Sequence, residues 1–357
     1  MRITHNKVKK DGKPMGERTE RTKKEKLKKR KRKRRIITNI LVFLIVIIAA
    51  GVTYGFLTLG KIKKADLTTD KDKLGINKQV EDKITDDKKK IKNIILLGVD
   101  QFEGDAGRSD AMIIATVDPV HNKLKLTSLM RDTYVNIPGH GYDKLTHAFA
   151  YGKEELAIKT INQNFGLNIT DFVKVNFTNM EDIIDAVGGL DIEVRSDELE
   201  NMNEHIRHLS SNKGVTPKQI NSAGMKHLNG LQALAYTRIR YTNGGDYERT
   251  ERHRKVLTLL FDKVMGSGAT KLPGMVNKLL PYVQTSLSNT DILGLGTTVL
   301  GFNNKTLEQN RFPQDGYCEG KRIGPDGIFY LTYDEEETKD QIFKYIFEDI
   351  KPEKKQN

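Results

Sequence analysis

The longest uninterrupted apolar stretch of the chain covers residues 36–60, with the sequence IITNILVFLIVIIAAGVTYGFLTLG and no charged side chain. A helix rises about 1.5 Å per residue, so this stretch would measure about 37 Å and could cross a hydrocarbon core of about 30 Å. A cleaved signal peptide has a shorter apolar run of about 7–15 residues. The pattern therefore predicts a retained transmembrane helix over residues 36–60.

From residue 91 onward, apolar positions occur in short runs, some typical of buried strands and others of helices. We predict strands over residues 92–99, 111–117, 123–130, 172–177 and 190–194, and helices over residues 153–165 and 179–187. The composition of residues 118–122 predicts a tight turn, and the polar residues 195–225 predict a long surface loop. Interspersed strands and helices predict an α/β domain. Its mixed central β-sheet is flanked by helices in an α-β-α sandwich and is preceded by one transmembrane helix.

Basic side chains are concentrated at the amino terminus. Residues 1–35 hold 18 Lys and Arg against four acidic residues, a net of +14, whereas the whole chain carries +13. Folds that bind nucleic acid carry positive charge on the folded domain, so nucleic acid is not an expected partner. A basic segment beside a membrane span stays in the cytoplasm and contacts anionic lipid. This predicts a cytoplasmic tail over residues 1–35 and places everything after residue 60 outside the cell.

The charged segment after the apolar stretch, residues 61–90, contains ten Lys and seven acidic residues but few large apolar groups. Such a composition buries little apolar surface, so we predict a charged extracellular stalk. An extracellular folded domain is then expected over residues 91–350, followed by a short C-terminal tail, residues 351–357. The expected location is the cell membrane, crossed once.

Arginine and aspartate side chains gather in three segments that follow predicted strands or lie in loops, where sites are usually built in α/β sheets. They are GVDQFEGDAGRSD with Asp100, Arg108 and Asp110, SLMRDTYV with Arg131 and Asp132, and YTRIRYTNGGDYERTERHR with Arg238, Arg240, Asp246, Arg249, Arg252 and His253. So many arginines would repel one another unless a strongly anionic group lies among them. Guanidinium groups bind phosphate oxygens bidentately, and paired carboxylates hold Mg²⁺ beside substrate phosphates. We therefore predict a phosphate or pyrophosphate site, with Asp100 and Asp110 as metal ligands.

Spacing gives the third segment a predicted geometry. Arg238 and Arg240 alternate with Ile239, so an extended segment would direct both guanidinium groups to one face and Ile239 into the core. Asp246 is predicted to cap a helix in which Arg249 follows three residues later. For any single arginine, a surface salt bridge with a nearby acid is the alternative.

Six motifs follow one another along the chain: NIILLGVD, GRSDAMIIATVDP, LTSLMRDTYVNIPGHGYDKLTHAFAYG, DFVKVNFTNMEDIIDAVGGLDIEV, GMKHLNGLQALAYTRIRY and GDYERTERHRKVL. In this order they resemble the LytR-CpsA-Psr family of bacterial cell-wall proteins. The resemblance is strong over residues 91–260 and looser to about residue 350. The membrane anchor, short cytoplasmic tail and external domain also match the layout of that family.

The resemblance implies a Mg²⁺-dependent transferase. It would move a glycopolymer, such as wall teichoic acid or capsular polysaccharide, from an undecaprenyl-(pyro)phosphate carrier to the C6 hydroxyl of N-acetylmuramic acid in peptidoglycan. Asp100 and Asp110 would coordinate the metal, and Asp246 would be a further acid of the site. The implied pyrophosphate-binding residues are Arg108, Arg131, Arg238, Arg240, Arg249, Arg252 and His253, with Lys144 a weaker candidate. His253 stands where the family often has Gln, and a histidine can still donate to phosphate.

Two alternatives to a transferase remain open. A membrane-anchored regulator could bind polyprenyl phosphates without turnover, and a cytoplasmic DNA-binding regulator could use the basic tail. A lipid tail would need an apolar groove, for which residues 94–97, 111–117 and 157–165 are candidates, although these residues would also suit a core. Cys318, the only cysteine, cannot form an internal disulfide and is assigned no catalytic role.

Overall fold

The computed structural model describes residues 59–100, 107–240, 242, 245–268, 270–353 and 355. The predicted cytoplasmic tail and nearly all of the predicted transmembrane helix lie outside these residues. Within the described ranges, no helix combines the length and the apolar character that crossing a bilayer requires.

Strands and helices are interspersed along the described chain, as the sequence predicts. The strands are β1 Lys63–Lys64, β2 Lys92–Asp100, β3 Arg108–Asp118, β4 Lys123–Leu129, β5 Tyr134–Ile137, β6 Gly141–Lys144, β7 Asp171–Asn176, β8 Leu190–Val194, β9 Gly224–Leu228, β10 Gln284–Thr285, β11 Leu307–Phe312, β12 Cys318–Ile323 and β13 Ile328–Tyr333. The α-helices are α1 Lys78–Lys83, α2 Leu145–Phe165, α3 Phe177–Ala186, α4 Leu199–Lys213, α5 Gly230–Arg238, α6 Gly245–Met265, α7 Leu272–Leu279, α8 Asn289–Gly301 and α9 Glu335–Phe347.

The central sheet is mixed, with its strands in the order β1-β10-β7-β2-β3-β4-β11. Strands β2, β3 and β4 are antiparallel, whereas β7 runs parallel to β2 and β11 runs parallel to β4. The predicted turn after β3 is confirmed: Asp118 Oδ1 accepts hydrogen bonds from the backbone N–H groups of Val120 and His121, and Asn122 adopts a left-handed φ of 59°. The predicted mixed α/β fold is therefore confirmed.

Helices cover both faces of this sheet. On one face α2 and α9 pack Phe149, Phe165 and Ile342 against residues that include Ile95 and Ile114. Helices α3 and α6 lie across the other face. A second apolar cluster links α3, α4, α5 and α6 with β8 and β9; it includes Ile184, Ile192, Ile206, Leu234 and Val256. Successive side chains of a strand point to opposite faces, so the central sheet is covered by helices on both faces.

The polar segment 195–225 is not one continuous loop, contrary to the prediction. Residues 199–213 form α4, which buries Met202, Ile206 and Leu209. These residues are spaced by four and three positions, so they occupy one face of the helix while its polar residues face solvent. The helix was missed because only three large apolar side chains carry its period.

Residues 61–90 pack on the folded domain and do not form the predicted solvated stalk. Leu74, Ile76 and Ile84 are buried in the main core, and β1 pairs with β10 at the edge of the central sheet. Asn162 Nδ2 also donates a hydrogen bond of 2.8 Å to the carbonyl of Leu74. The few apolar groups of this lysine-rich segment are buried in two clusters, Leu74, Ile76 and Ile84 in the main core and Ile62 beside Leu280, which its overall composition does not reveal.

Candidate active site

The adjoining ends of β2 and β3 form one side of the site. The ladder between them changes register at Gly98 and Val99, which leaves Asp110 as an extra residue in β3. Such a β-bulge bends the strand and re-aims a side chain, and bulges are frequent beside active sites. Asp100 ends β2 and lies opposite Arg108, which is exposed at the start of β3.

Arg131 lies at the centre of a group of carboxylates. Its Nη1 donates to Asp110 Oδ1 at 2.6 Å, and its Nε is 3.5 Å from Asp246 Oδ1 and 3.6 Å from Asp132 Oδ2. Burial opposes the charge on Arg131, but the three carboxylates outweigh it and raise its pKa above the ordinary value. Burial also opposes the charge on Asp110, yet Arg131 holds the pKa of that carboxyl below its usual range. Both groups are therefore charged at neutral pH.

The first turn of α6 supplies a second acid and a second arginine. Asp246 lies inside this turn and not before it, so it is not the N-cap that the sequence predicted. Its Oδ1 is 2.8 Å from Nη2 of Arg249, whose side chain is buried. Burial lowers the pKa of Arg249 to about 10, and the like charges of Arg131 and Arg240 act in the same direction against the opposing effect of Asp246.

Several buried polar atoms of this group lack a hydrogen-bond partner within the described part of the protein. They are Arg131 Nε, Arg249 Nε, Arg249 Nη2 and Asp246 Oδ2. The contact between Arg249 and Asp246 is thus an ion pair without the alignment of a hydrogen bond. Since buried polar groups are nearly always hydrogen-bonded, three guanidinium nitrogens without a hydrogen bond in one place indicate a binding site for an anion with several oxygens.

The segment after α5 brings two more arginines to the site. Arg238 is the last residue of α5, and its Nη2 donates to Asp100 Oδ1 at 3.4 Å. Arg238 therefore lies in a helix, and residues 238–240 do not form the predicted extended segment, although Ile239 is fully buried as expected and Arg240 is exposed beyond it. Arg240 is close enough to Arg249 to help lower the pKa of that guanidinium.

Lys144 joins the same group through Asp132. Its Nζ lies 3.0 Å from Asp132 Oδ1, and the other oxygen of Asp132 faces Arg131. Sequence reasoning placed Asp132 in one of the charged segments but gave it no role; its position directly after Arg131 was the available signal. The structure therefore gathers nine of the predicted residues around the ends of β2, β3 and β4: Asp100, Arg108, Asp110, Arg131, Lys144, Arg238, Arg240, Asp246 and Arg249.

Arg252 does not join them, which corrects its assignment to the pyrophosphate group. Its side chain is buried and donates to Glu198 Oε1 at 2.9 Å, Glu248 Oε2 at 2.7 Å, the carbonyl of Ile239 at 3.0 Å and Thr242 Oγ1 at 3.0 Å. Position 252 is three residues after Arg249, about 300° around the helix, and points toward different neighbours. Arg252 fixes α6 to the segments around it.

His253 is also misassigned as a phosphate donor. It lies one turn further along α6 from Arg249, and its Nε2 is 3.1 Å from the carbonyl oxygen of Thr237, an arrangement in which the ring N–H donates. Burial, with the nearby charge of Arg249, lowers the pKa of His253 to about 3. The ring is therefore neutral and belongs to the protein interior.

We call Arg131, Arg238, Arg240 and Arg249 the arginine cluster. An apolar cavity of about 120 Å³ lies beside its member Arg238. It lies between the sheet and helices α3 and α6, and its lining includes Ile113, Val173, Val175, Phe177, Met180 and Val256. The expectation that residues 157–165 wall such a groove is wrong, because they pack on the opposite face of the sheet. The Phe177 ring links the two regions: it lines the cavity and lies 5.4 Å from the guanidinium carbon of Arg238.

The chain is similar to known proteins in both sequence and fold. The chain is 32% identical over 253 residues to a polyisoprenyl-teichoic acid–peptidoglycan teichoic acid transferase, TagU, of Oceanobacillus iheyensis, covering 69% of this chain and 72% of TagU. It is 31% identical over 260 residues to the regulatory protein MsrR of Staphylococcus aureus, covering 72% and 75%. The fold is similar to that of YwtF (TagT) with bound octaprenyl pyrophosphate lipid, with a TM-score of 0.53, 29% identity and coverage of 73% and 92%. The sequence profile of the LytR_cpsA_psr family matches residues 52–345, and the chain belongs to that family.

Proposed function

We propose that the protein is a membrane-anchored phosphotransferase. It moves a glycopolymer of the wall teichoic acid or capsular polysaccharide type from an undecaprenyl-(pyro)phosphate carrier to the C6 hydroxyl of N-acetylmuramic acid in peptidoglycan. One observation carries the proposal: buried guanidinium nitrogens of Arg131 and Arg249 have no hydrogen bond, and the Phe177 ring that lines the apolar cavity lies 5.4 Å from the guanidinium of Arg238 in the same site. A molecule with an anionic head joined to an apolar tail matches that arrangement; TagU is named for a polyisoprenyl-linked teichoic acid, and TagT has been solved with a bound octaprenyl pyrophosphate lipid.

The transfer forms a bond between the acceptor oxygen and the phosphorus nearest the polymer. The bond from that phosphorus to the bridging oxygen breaks, and the lipid phosphate leaves with the electron pair. Arg131, Arg238 and Arg249 stabilise the negative charge that develops on the phosphate oxygens. Asp246 Oδ2 has no hydrogen-bond partner among the described residues and can accept the proton of the acceptor hydroxyl. No covalent enzyme intermediate is required.

The residues present suit a Mg²⁺ ion. No group of three or more His, Cys, Asp or Glu side chains is arranged for a metal among the described residues. Mg²⁺ is commonly bound by only one or two carboxylates together with substrate phosphates and water, and Asp100 and Asp110 provide such a pair. A bound Mg²⁺ would neutralise charge on the pyrophosphate.

The proposed location is the outer side of the cell membrane. The apolar residues 36–60 and the basic residues 1–35 support an orientation with the amino terminus in the cytoplasm. Peptidoglycan and lipid-linked polymer then meet on the side of the membrane where the folded domain lies.

A synthetic polyprenyl-pyrophosphate-linked donor and peptidoglycan oligomers test the activity, with and without Mg²⁺. Wild type should form product, and Arg108→Ala and Arg131→Ala should lose most of it. Arg207→Ala is the matched control, because Arg207 is exposed on α4 and contacts the exposed Glu200. Donor binding without product under every metal condition would contradict the transferase activity. It would favour a non-enzymatic regulator, the function that the name of MsrR suggests.

A further inference from the structure

An aromatic surface lies beside the arginine cluster and has no role in the steps described above. Tyr134, Tyr142, Tyr151 and Tyr330 form it, and we call these residues the tyrosine surface. The ring centres of Tyr134 and Tyr142 are 5.2 Å apart, and those of Tyr134 and Tyr330 are 4.9 Å apart. Tyr142 is 60% exposed and Tyr151 is 47% exposed. Large exposed aromatic groups side by side usually mark a binding surface.

The carboxylate of Asp143 holds the rings of Tyr151 and Tyr330 in place. Asp143 Oδ2 accepts hydrogen bonds of 2.8 Å from the hydroxyl of Tyr151 and 2.8 Å from Nδ1 of His147, and Asp143 Oδ1 accepts one of 3.4 Å from the hydroxyl of Tyr330. Burial opposes the charge of Asp143, but the hydrogen bonds from His147, Tyr151 and the backbone N–H of Lys144 outweigh it and lower the pKa of Asp143. The His140 ring stacks on Tyr151 with 4.4 Å between centres. The surface is therefore fixed before any ligand arrives, which reduces the entropy lost on binding.

The tyrosine surface is continuous with the arginine cluster. Lys144 Nζ lies 5.7 Å from the centre of the Tyr330 ring and 3.0 Å from Asp132 Oδ1, and Asp132 faces Arg131. A hydroxyl that attacks phosphorus held at Arg131 must come from a molecule whose remaining part lies against the adjoining protein surface. The tyrosine surface is such a neighbour.

We propose that the tyrosine surface binds the acceptor, a strand of N-acetylated amino sugars, and presents its hydroxyl to the arginine cluster. This inference rests on the proposed transfer reaction. Pyranose rings have an apolar face of C–H groups with slight positive charge, which the negative face of an aromatic ring attracts. The phenol hydroxyls and His140, exposed at the rim, supply hydrogen bonds to sugar hydroxyl and acetamido groups.

Binding of a lipid-free acceptor tests the proposal without any transfer step. The full chain in detergent micelles is titrated with a tetrasaccharide of alternating N-acetylglucosamine and N-acetylmuramic acid. Tyrosine emission reports binding, because the chain has twelve Tyr and no Trp. Tyr142→Ala and Tyr330→Ala should each weaken binding about tenfold, and Tyr142→Phe should retain most of it.

Phe329→Ala is the matched control. Phe329 precedes Tyr330 on β13, points to the other face of that strand, and is 43% exposed. It should bind the tetrasaccharide as wild type does. Circular dichroism melting of every variant separates lost binding from lost fold, and the Tyr142→Phe variant keeps the comparison valid if an alanine variant melts early.

Unchanged tetrasaccharide binding in the Tyr142→Ala, Tyr330→Ala double variant would overturn the proposal. So would a loss confined to partition into phosphatidylglycerol vesicles, since the surface would then contact lipid headgroups. If the wild-type protein binds the tetrasaccharide but forms no product with the lipid-linked donor, the transfer reaction is refuted and the role of the tyrosine surface in sugar binding stands. Product formation with an unchanged acceptor KM in the double variant would refute the surface alone.

Discussion

Arg131 Nη1 lies 2.6 Å from Asp110 Oδ1, so the segment that follows β4 is tied to the extra residue of β3. The contact fixes a guanidinium plane at the point where three carboxylates meet. A lysine would retain the charge but would lose the flat pair of donors that matches a phosphate. The geometry of the guanidinium therefore matters here as well as its charge.

Arg131→Lys should lower kcat for transfer by about 10²- to 10³-fold, because a donor aimed at the developing charge is lost. Initial rates with the synthetic lipid-linked donor measure this effect. Arg207→Lys on α4 is the control and should match wild type. Equal rates in Arg131→Lys and wild type would show that a point charge is enough.

Arg252→Met should destabilise the protein by about 3–5 kcal/mol, since Glu198 would become a buried charge without its main partner. Urea unfolding followed by circular dichroism gives the free energy of unfolding. Arg195→Met is the control: Arg195 contacts the same Glu198 and Glu248, but its side chain is 48% exposed, so a loss below about 1 kcal/mol is expected. A stable Arg252→Met variant that fails to bind the lipid donor would show that Arg252 does bind the pyrophosphate, as the sequence predicted.

The neutral, buried His253 should make the fold sensitive to acid. Its pKa is about 3 in the folded protein against an ordinary 6.5, so the unfolded chain takes up the proton first as the pH falls. The contribution of this residue to stability is therefore complete above about pH 6.5 and declines as the pH approaches 3. His253→Gln, which can still donate to the carbonyl of Thr237, should show a shallower loss of unfolding free energy across this interval. His208→Gln, at an exposed position on α4, should keep the wild-type slope.

Val175→Phe should fill part of the apolar cavity and raise KM for a long-chain polyprenyl donor by about tenfold. A donor with a short, water-soluble chain does not need the cavity, so its KM should stay unchanged in the same variant. Comparing the two donors on one protein removes any general effect of the substitution on folding. If both KM values rise equally, the cavity is not the site of the lipid tail.

Short apolar runs were sufficient to predict β2, β3, β4 and β7, because strands covered on both faces are rich in apolar residues. Strand β8 was predicted from alternating apolar positions, and it buries only one face. Most arginine and aspartate residues of the site were also visible, since they lie near a strand end or beside a glycine, whereas Arg238 and Arg249 lie on helices. Arg249 and Arg252 were indistinguishable in sequence. Their separation depends on Glu198, which is 54 positions from Arg252, and no local pattern reveals that contact.

Contacts between distant residues also explain why the packing of residues 61–90 and the tyrosine surface were not predicted. Leu74, Ile76 and Ile84 are too few to outweigh the lysines around them in a composition argument. Tyr330 meets Asp143 across 187 positions of sequence, and only the folded chain brings them together. Local pattern predicted where the strands and charges are, whereas long-range contacts decide which of them share a site.

The bulge in β3 places Asp110 in the site without using it in the pairing of the two strands. Gly98 pairs with Ala111 and Val99 pairs with Ser109, so the ladder is complete on both sides of Asp110 without it. A single in-frame codon deletion at position 110 would leave a regular hairpin and remove the carboxylate that contacts Arg131. A relative with that deletion would keep the sheet and lack this carboxylate.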